Sequence, residues 1–153
     1  MEERVREIIR KEAALPEEQQ PLYHTNCAEN LFRSANEEYG LGVDEKFVQA
    51  IIPFGAGMQT ENTCGALLSC LAALGLLYGE EKPTENKKMK AAVIRYVQLF
   101  EKKYGSLKCA EIKKYHRDKQ DTCTPVKVGA GKILESVTEN IESIYQDYLK
   151  AEE

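Results

Sequence analysis

Thr63-Cys64-Gly65-Ala66-Leu67-Leu68-Ser69-Cys70-Leu71-Ala72-Ala73-Leu74-Gly75-Leu76-Leu77-Tyr78-Gly79 is the stretch on which the fold turns. It carries no charged residue, and from Cys64 to Tyr78 it is apolar on every side rather than along one stripe. A helix of that kind is surrounded by other elements. The stretch is shorter than the ~20 residues a membrane-spanning helix needs, and Gly, Ser, Thr and Cys interrupt it. It reads as a buried central helix over 63–78. Small residues at Gly65, Ala66, Ser69, Ala72 and Ala73 let its neighbours pack closely.

The flanking segments repeat with helical period. Val5, Ile8 and Ile9 form a short stripe that ends in a polar linker between Pro16 and Pro21. Asn26 opens the next helix, with Glu29 placed for a capping box. Leu31, Phe32, Ala35 and Tyr39 follow at three- and four-residue steps until Gly40 and Gly42 stop it. Asp44 caps a short helix carrying Phe47, Val48, Ile51 and Ile52, and Phe54-Gly55-Ala56-Gly57-Met58 then reads as a closely approached loop. Pro83 opens a long amphipathic helix lined by Met89, Ala92, Val93, Tyr96, Val97 and Phe100, with Gly105 as its C-cap. A short helix from Ser106 holds Cys109 and Ile112 and dissolves into the polar stretch Lys113 to Thr122. The last helix runs from Pro125 through Tyr148. No alternating strand pattern is present. The expectation is an all-α, single-domain bundle of about six to seven helices over 1–153, with an N-terminal helix and linker at 1–20 and a core over 24–150.

The 153 residues suffice for a real core without disulfide staples. A net charge of −4 gives no reason to expect nucleic acid or an anionic membrane as partner. Met1-Glu2-Glu3-Arg4 lacks the apolar stretch of a signal peptide, which makes a reducing cytoplasm the expectation, without membrane insertion. Clustered cysteines in that setting point to metal or redox chemistry, and an odd total of five argues against a closed disulfide framework.

Several chemistries fall away. Gly129-Ala130-Gly131-Lys132 has Ile133 where a phosphate loop needs Ser or Thr, and Gly55-Ala56-Gly57 lacks the third glycine of a dinucleotide fingerprint. No nucleotide is expected. There is no Cys-x-x-Cys-His, hence no haem, and no His-Glu-x-x-His. His24 and His116 are the only histidines, neither in a nucleophile context.

The cysteines remain. Cys27 follows Thr25-Asn26, Cys64 follows Asn62-Thr63, Cys109 lies three residues after Ser106, and Cys123 precedes Thr124-Pro125. Ser, Thr and Asn are preferred N-caps and Pro is favoured in the first turn, so all four sit where a helix begins. Unpaired N–H groups and the positive end of the macrodipole stabilise a thiolate there. Steps of 37, 45 and 14 residues (27 to 64, 64 to 109, 109 to 123) are too wide for a zinc ribbon. Each sulfur comes from a different helix, as in metal sites within helical bundles. Cys70 lies inside the apolar run, on another helix face from Cys64, and reads as a packing residue.

Asn26-Cys27-Ala28-Glu29, Phe54-Gly55-Ala56-Gly57-Met58, Cys64-Gly65-Ala66, Phe100-Glu101-x-x-x-Gly105-Ser106-x-x-Cys109 and Cys123, in that order, resemble the C-GCAxxG-C-C family of redox-active proteins. The resemblance runs from about residue 24 to 140. It implies a cysteine-based redox or metal-binding role for Cys27, Cys64, Cys109 and Cys123, with Asn26, Gly57, Gly65 and Ser106 in support. A related domain accompanies an iron–sulfur cluster and haem in split-Soret cytochromes, and only the cluster part of that likeness carries over. Two departures stand out. Ser69 replaces the last glycine of Cys-Gly-Ala-x-x-Gly, which should loosen the helix contact there, and Ala56 replaces a glycine of the preceding loop.

The leading expectation is a redox protein whose four thiolates ligate an iron–sulfur cluster or cycle disulfides, serving a redox partner protein. Cys109 and Cys123 are the closest pair in sequence, and the basic residues Lys108, Lys113, Lys114, His116 and Arg117 lie between and beside them. The small-residue-rich central helix is compatible with a homodimer. The alternative is a non-catalytic helical module that binds a transporter or partner enzyme and uses its cysteines for packing.

Overall fold

The computed structural model describes residues 1–152 and, among them, eight α-helices. They are α1 (Glu2–Ala13), α2 (Cys27–Tyr39), α3 (Glu45–Ile51), α4 (Gly65–Tyr78), α5 (Lys87–Tyr104), α6 (Cys109–His116), α7 (Thr124–Glu139) and α8 (Ile141–Glu152). The all-α expectation holds. The helix count exceeds six to seven because the C-terminal periodicity conceals a break. At Asn140 the backbone leaves the helix (φ −109°, ψ 16°) and the side-chain amide donates to Ser136 O at 2.8 Å. Beyond it, α8 packs along α5.

The apolar helix α4 is central, in contact with α2, α5 and α7. Its Ala66, Leu67, Cys70, Ala73 and Leu74 are buried with Leu31, Tyr96, Phe100, Leu134 and Val137 in one core. A second, smaller cluster of Ala28, Phe32, Val48 and Ile51 seats α3 against α2. Two tyrosines fasten α5 to α7: Tyr96 Oη donates to Ala130 O at 3.1 Å, and Tyr104 Oη to Val126 O at 3.2 Å. Gly129 lies between those carbonyls because a methyl group there would stand 2.1 Å from Tyr104 Oη. The Gly-Ala-Gly sequence is therefore a helix contact, not a phosphate loop.

Three boundaries differ from the sequence reading, each through a local cause. The long helix α5 starts at Lys87, after a 3₁₀ turn over Pro83–Glu85. Helix α6 starts at Cys109 rather than near Ser106, whose hydroxyl instead accepts from Lys108 N at 3.0 Å in the preceding turn. It then runs on to His116, in a stretch that lacks apolar periodicity. The His116 ring stands edge-on to Tyr104 at 5.1 Å, and its Nε2 lies 3.3 Å from Tyr104 O, so a tertiary anchor sustains the last turn. Among the described residues no helix is long and apolar enough to cross a membrane.

Candidate redox site

Each of the four cysteines stands at a helix start. Cys27 is the first residue of α2, after the cap Asn26, whose Oδ1 accepts from Ala28 N and Glu29 N, both at 3.0 Å. The Asn26 amide also donates to Ile52 O at 2.9 Å, tying this helix start to the turn at Ile52–Phe54. Cys64 is itself the cap residue of α4, so neither Asn62 nor Thr63 caps it. Cys109 is the first residue of α6. Cys123 caps α7, accepting from Lys127 N at 2.9 Å.

Backbone pairing brings these starts together. Thr63 and Lys108 form an isolated antiparallel bridge, in which Cys64 N donates to Leu107 O at 2.8 Å and Cys109 N to Asn62 O at 2.6 Å. The beginnings of α4 and α6 are thereby held side by side. Gly57 packs over them: a methyl group on it would stand 2.6 Å from Cys109 Cβ, and its φ of 63° suits glycine. Its neighbours Ala56, Met58 and Gln59 share the left-handed region at φ 51°, 58° and 60°. The segment is a left-handed turn, costly for residues with a Cβ.

The result is a single cavity of about 20 Å³ whose wall includes Cys27, Cys64, Cys109 and Cys123 together with Lys113 and Lys127. Cys64 and Cys109 are buried, whereas Cys27 and Cys123 are half-buried. Cys70 is buried elsewhere in the core, its thiol 3.8 Å from Ala130 O, and lines no part of that wall. A wider cavity of about 660 Å³ lies between α5 and α8 and is lined by no cysteine.

Burial outweighs the helix-start effect on the thiols. Desolvation pushes Cys64 up to about 12, although the N–H groups of Leu67 and Ala66 act in the opposite direction. Cys109 and Cys123 are also raised, first by burial and then by Cys27; for Cys123 this is opposed by Arg117, Lys127 and Lys113. The sulfurs also act on one another: Cys27 and Cys109 raise Cys64, Cys27 and Cys123 raise Cys109, and Cys27 raises Cys123, so the four form one electrostatically coupled set. Of the basic residues in the sequence around α6, Lys113 reaches the cavity wall and is ion-paired with Glu61.

Residues 25–137 match the sequence model of the family described as "Putative redox-active protein (C_GCAxxG_C_C)". The chain belongs to this family. The matched range of this C_GCAxxG_C_C chain contains all four cysteines that line the cavity. No curated protein and no solved structure matches the chain. The Ser69 hydroxyl is buried and lies 2.7 Å from Ala28 O and 2.8 Å from Gly65 O. It links α4 to α2, so the contact expected to be loosened there carries a hydrogen bond.

Lys127 is the site residue that sequence reasoning missed. It lies one turn after Cys123, and the available signal was a lysine among Val126, Val128 and Ala130 on the inward face of α7. The donor set of four thiols is of the kind that iron–sulfur clusters use. As they stand, however, no group of three or more His, Cys, Asp or Glu side chains among the described residues is arranged to hold a metal ion. A cavity of about 20 Å³ has room for roughly one water molecule, so a cluster does not fit unless the four helix starts move apart.

Proposed function

We propose that the four-cysteine cavity is the redox centre of this protein and works by thiol–disulfide exchange among Cys27, Cys64, Cys109 and Cys123. The observation that carries this reading is the convergence of four cysteines, from four separate helix starts, on one small cavity. Cysteines serving only as small hydrophobes have no reason to meet, and Cys70, which does pack that way, lies apart. Membership of a redox-active family supports the same chemistry.

The half-buried pair Cys27 and Cys123 meets the external partner, a disulfide-bearing protein or small molecule that takes up two electrons. Two thiols give up two protons and two electrons to form one disulfide. Cys64 and Cys109 lie deeper and can receive the oxidation from Cys27 by exchange, in which a thiolate attacks one sulfur and displaces the other.

Anaerobic purification, metal and sulfide analysis, and disulfide mapping after titration with a mild oxidant test the reading. The expected result is loss of two thiols per disulfide formed, with every mapped bond inside the set 27, 64, 109 and 123. Thiols that all stay free after oxidation, or stoichiometric iron and inorganic sulfide in the purified protein, would overturn it.

A further inference from the structure

Lys127 is only 5% exposed, yet among the described residues its ammonium has no hydrogen-bond or ion-pair partner. Glu12, Asp121 and the thiols of Cys27 and Cys123 are the anionic groups of the chain that act on it, but no carboxylate among the described residues lies within ion-pairing distance, so the ammonium is left able to take a ligand anion directly. Its side chain lies in two walls at once. One is the wall of the four-cysteine cavity, the other that of a neighbouring groove of about 220 Å³ formed by α1, the linker before α2, the loop before α7 and α7 itself.

The other charged groups facing that groove can be placed one by one. Glu12 of α1 is engaged, its carboxylate accepting from the backbone and hydroxyl of Thr25 and meeting His24 Nδ1 at 3.1 Å. His24 is thereby engaged too. Asp121 is exposed at the rim and not ion-paired among the described residues. Arg117 and Lys113 act on Cys123 from α6 and its end, and Lys113 is paired with Glu61. What is left open is one buried cation beside the sulfurs and one carboxylate at the outer edge.

We propose that this groove binds a small zwitterionic disulfide of the α-amino-acid type, whose carboxylate pairs with Lys127, whose ammonium faces Asp121, and whose sulfur is thereby delivered to Cys123 and Cys27. The inference rests on the thiol–disulfide reading above. The Cys123 thiolate attacks one sulfur of R–S–S–R, giving the mixed disulfide Cys123–S–S–R and releasing R–S⁻. The Cys27 thiolate then attacks the Cys123 sulfur, forming the Cys27–Cys123 bond and releasing the second R–S⁻. The protein loses two protons and two electrons, and the small disulfide leaves as two thiols. Burial pulls the Lys127 pKa down, against the opposing effect of Glu12, Cys27, Cys123 and Asp121.

The test uses the fully reduced full-length chain under anaerobic conditions and three disulfides of similar size. Cystine carries both charged groups, cystamine lacks the carboxylates, and 3,3′-dithiodipropionate lacks the ammoniums. Thiol loss with cystine is expected to be about tenfold faster than with cystamine, the loss from removing one ion pair. Dithiodipropionate should fall between them. Lys127→Met should reduce the cystine preference to less than about twofold, and Lys127→Arg should retain it. Equal rates with cystine and cystamine in the wild type, or an undiminished preference in Lys127→Met, would overturn the proposal. Should Lys127→Met fail to fold, the wild-type comparison decides alone. If diamide forms a bond among the four cysteines but cystine does not, only this inference fails; if neither does, the redox reading fails with it.

Discussion

Gly65 and Cys27 are in such close contact that a methyl group on Gly65 would stand 3.1 Å from Cys27 Sγ, and 2.5 Å from the carbonyl oxygen of Phe54. The second residue of Cys-Gly-Ala thus sets how near the start of α4 can come to the first thiol. Gly65→Ala must push against backbone, which cannot rotate away, and should cost about 1–3 kcal/mol of stability, the range for overpacking. It should also slow formation of any disulfide involving Cys27. Urea denaturation and thiol titration of the variant measure both effects, and an unchanged midpoint would contradict the contact.

Ala56 carries a side chain at φ 51°, in the left-handed region that favours glycine. The left-handed conformation costs a residue with a Cβ about 1 kcal/mol or more, a penalty that glycine largely avoids. Ala56→Gly should therefore stabilise the protein by about 0.5–1 kcal/mol, despite the extra freedom it gives the unfolded chain. Met58→Gly, at φ 58°, should act in the same direction. The chemical denaturation midpoint reads both.

Alkylation should follow burial. Cys27 and Cys123, half-buried, are expected to react with iodoacetamide first. Cys64 and Cys109 should lag, and Cys70, at 0% exposure, should react only on global unfolding. Peptide mapping over a time course gives the order directly. Early modification of Cys70 would place it in contact with solvent and contradict its packing role.

Cys70 also predicts a pH dependence. Burial raises its thiol from the ordinary 9.0 to about 12, so above pH 9 the unfolded chain releases a proton that the folded one keeps. The contribution is fully present below pH 9 and is lost as pH rises toward 12, at about 1.4 kcal/mol per unit. Tyr39, raised to about 12, adds a similar loss from pH 10 upward. Cys64, likewise raised to about 12, adds its own loss from pH 9, so Cys70→Ala should lessen the decline between pH 9 and 10, where the tyrosine contributes least, without abolishing it. An identical slope in the variant would show that the thiol does not titrate differently on folding.

Ser69 tests how the chain tolerates its departure from the family pattern. Its hydroxyl donates across the contact between α4 and α2, so the loosening expected from the larger side chain is countered by a hydrogen bond. Ser69→Ala should cost about 1 kcal/mol, and Ser69→Gly more, because it also adds backbone freedom within a helix. Thermal melts of the two variants measure it.

Much of this architecture was legible in the sequence because the signals were local. The uninterrupted apolar run gave α4, and the periodic stripes gave α2, α5 and α7. The Ser, Thr, Asn and Pro residues nearby marked helix starts at all four cysteines, although of these only Asn26 caps its helix through its side chain. What escaped depended on contacts between distant segments. The last turn of α6 exists because His116 leans on Tyr104, and the break at Asn140 hides in a periodicity that continues on both sides. The side-by-side seating of Cys64 and Cys109 comes from a two-residue bridge too short to leave a strand pattern. Lys127 went unread because helix period marks which positions face inward, not whether a cation placed there has found an anion. The elevated thiol pKa values were likewise hidden, since caps announce N–H donors while burial depends on the assembled bundle.

The two tyrosine hydroxyls on α7 act as teeth on a rack. Tyr96 and Tyr104 grip carbonyls four residues apart, one helical turn, and thereby fix both the rotation and the axial position of α7 against α5. Cys123 and Lys127, at the head of that helix, are consequently stationary reference points. Any travel that accompanies a change in sulfur bonding falls to the other three helix heads.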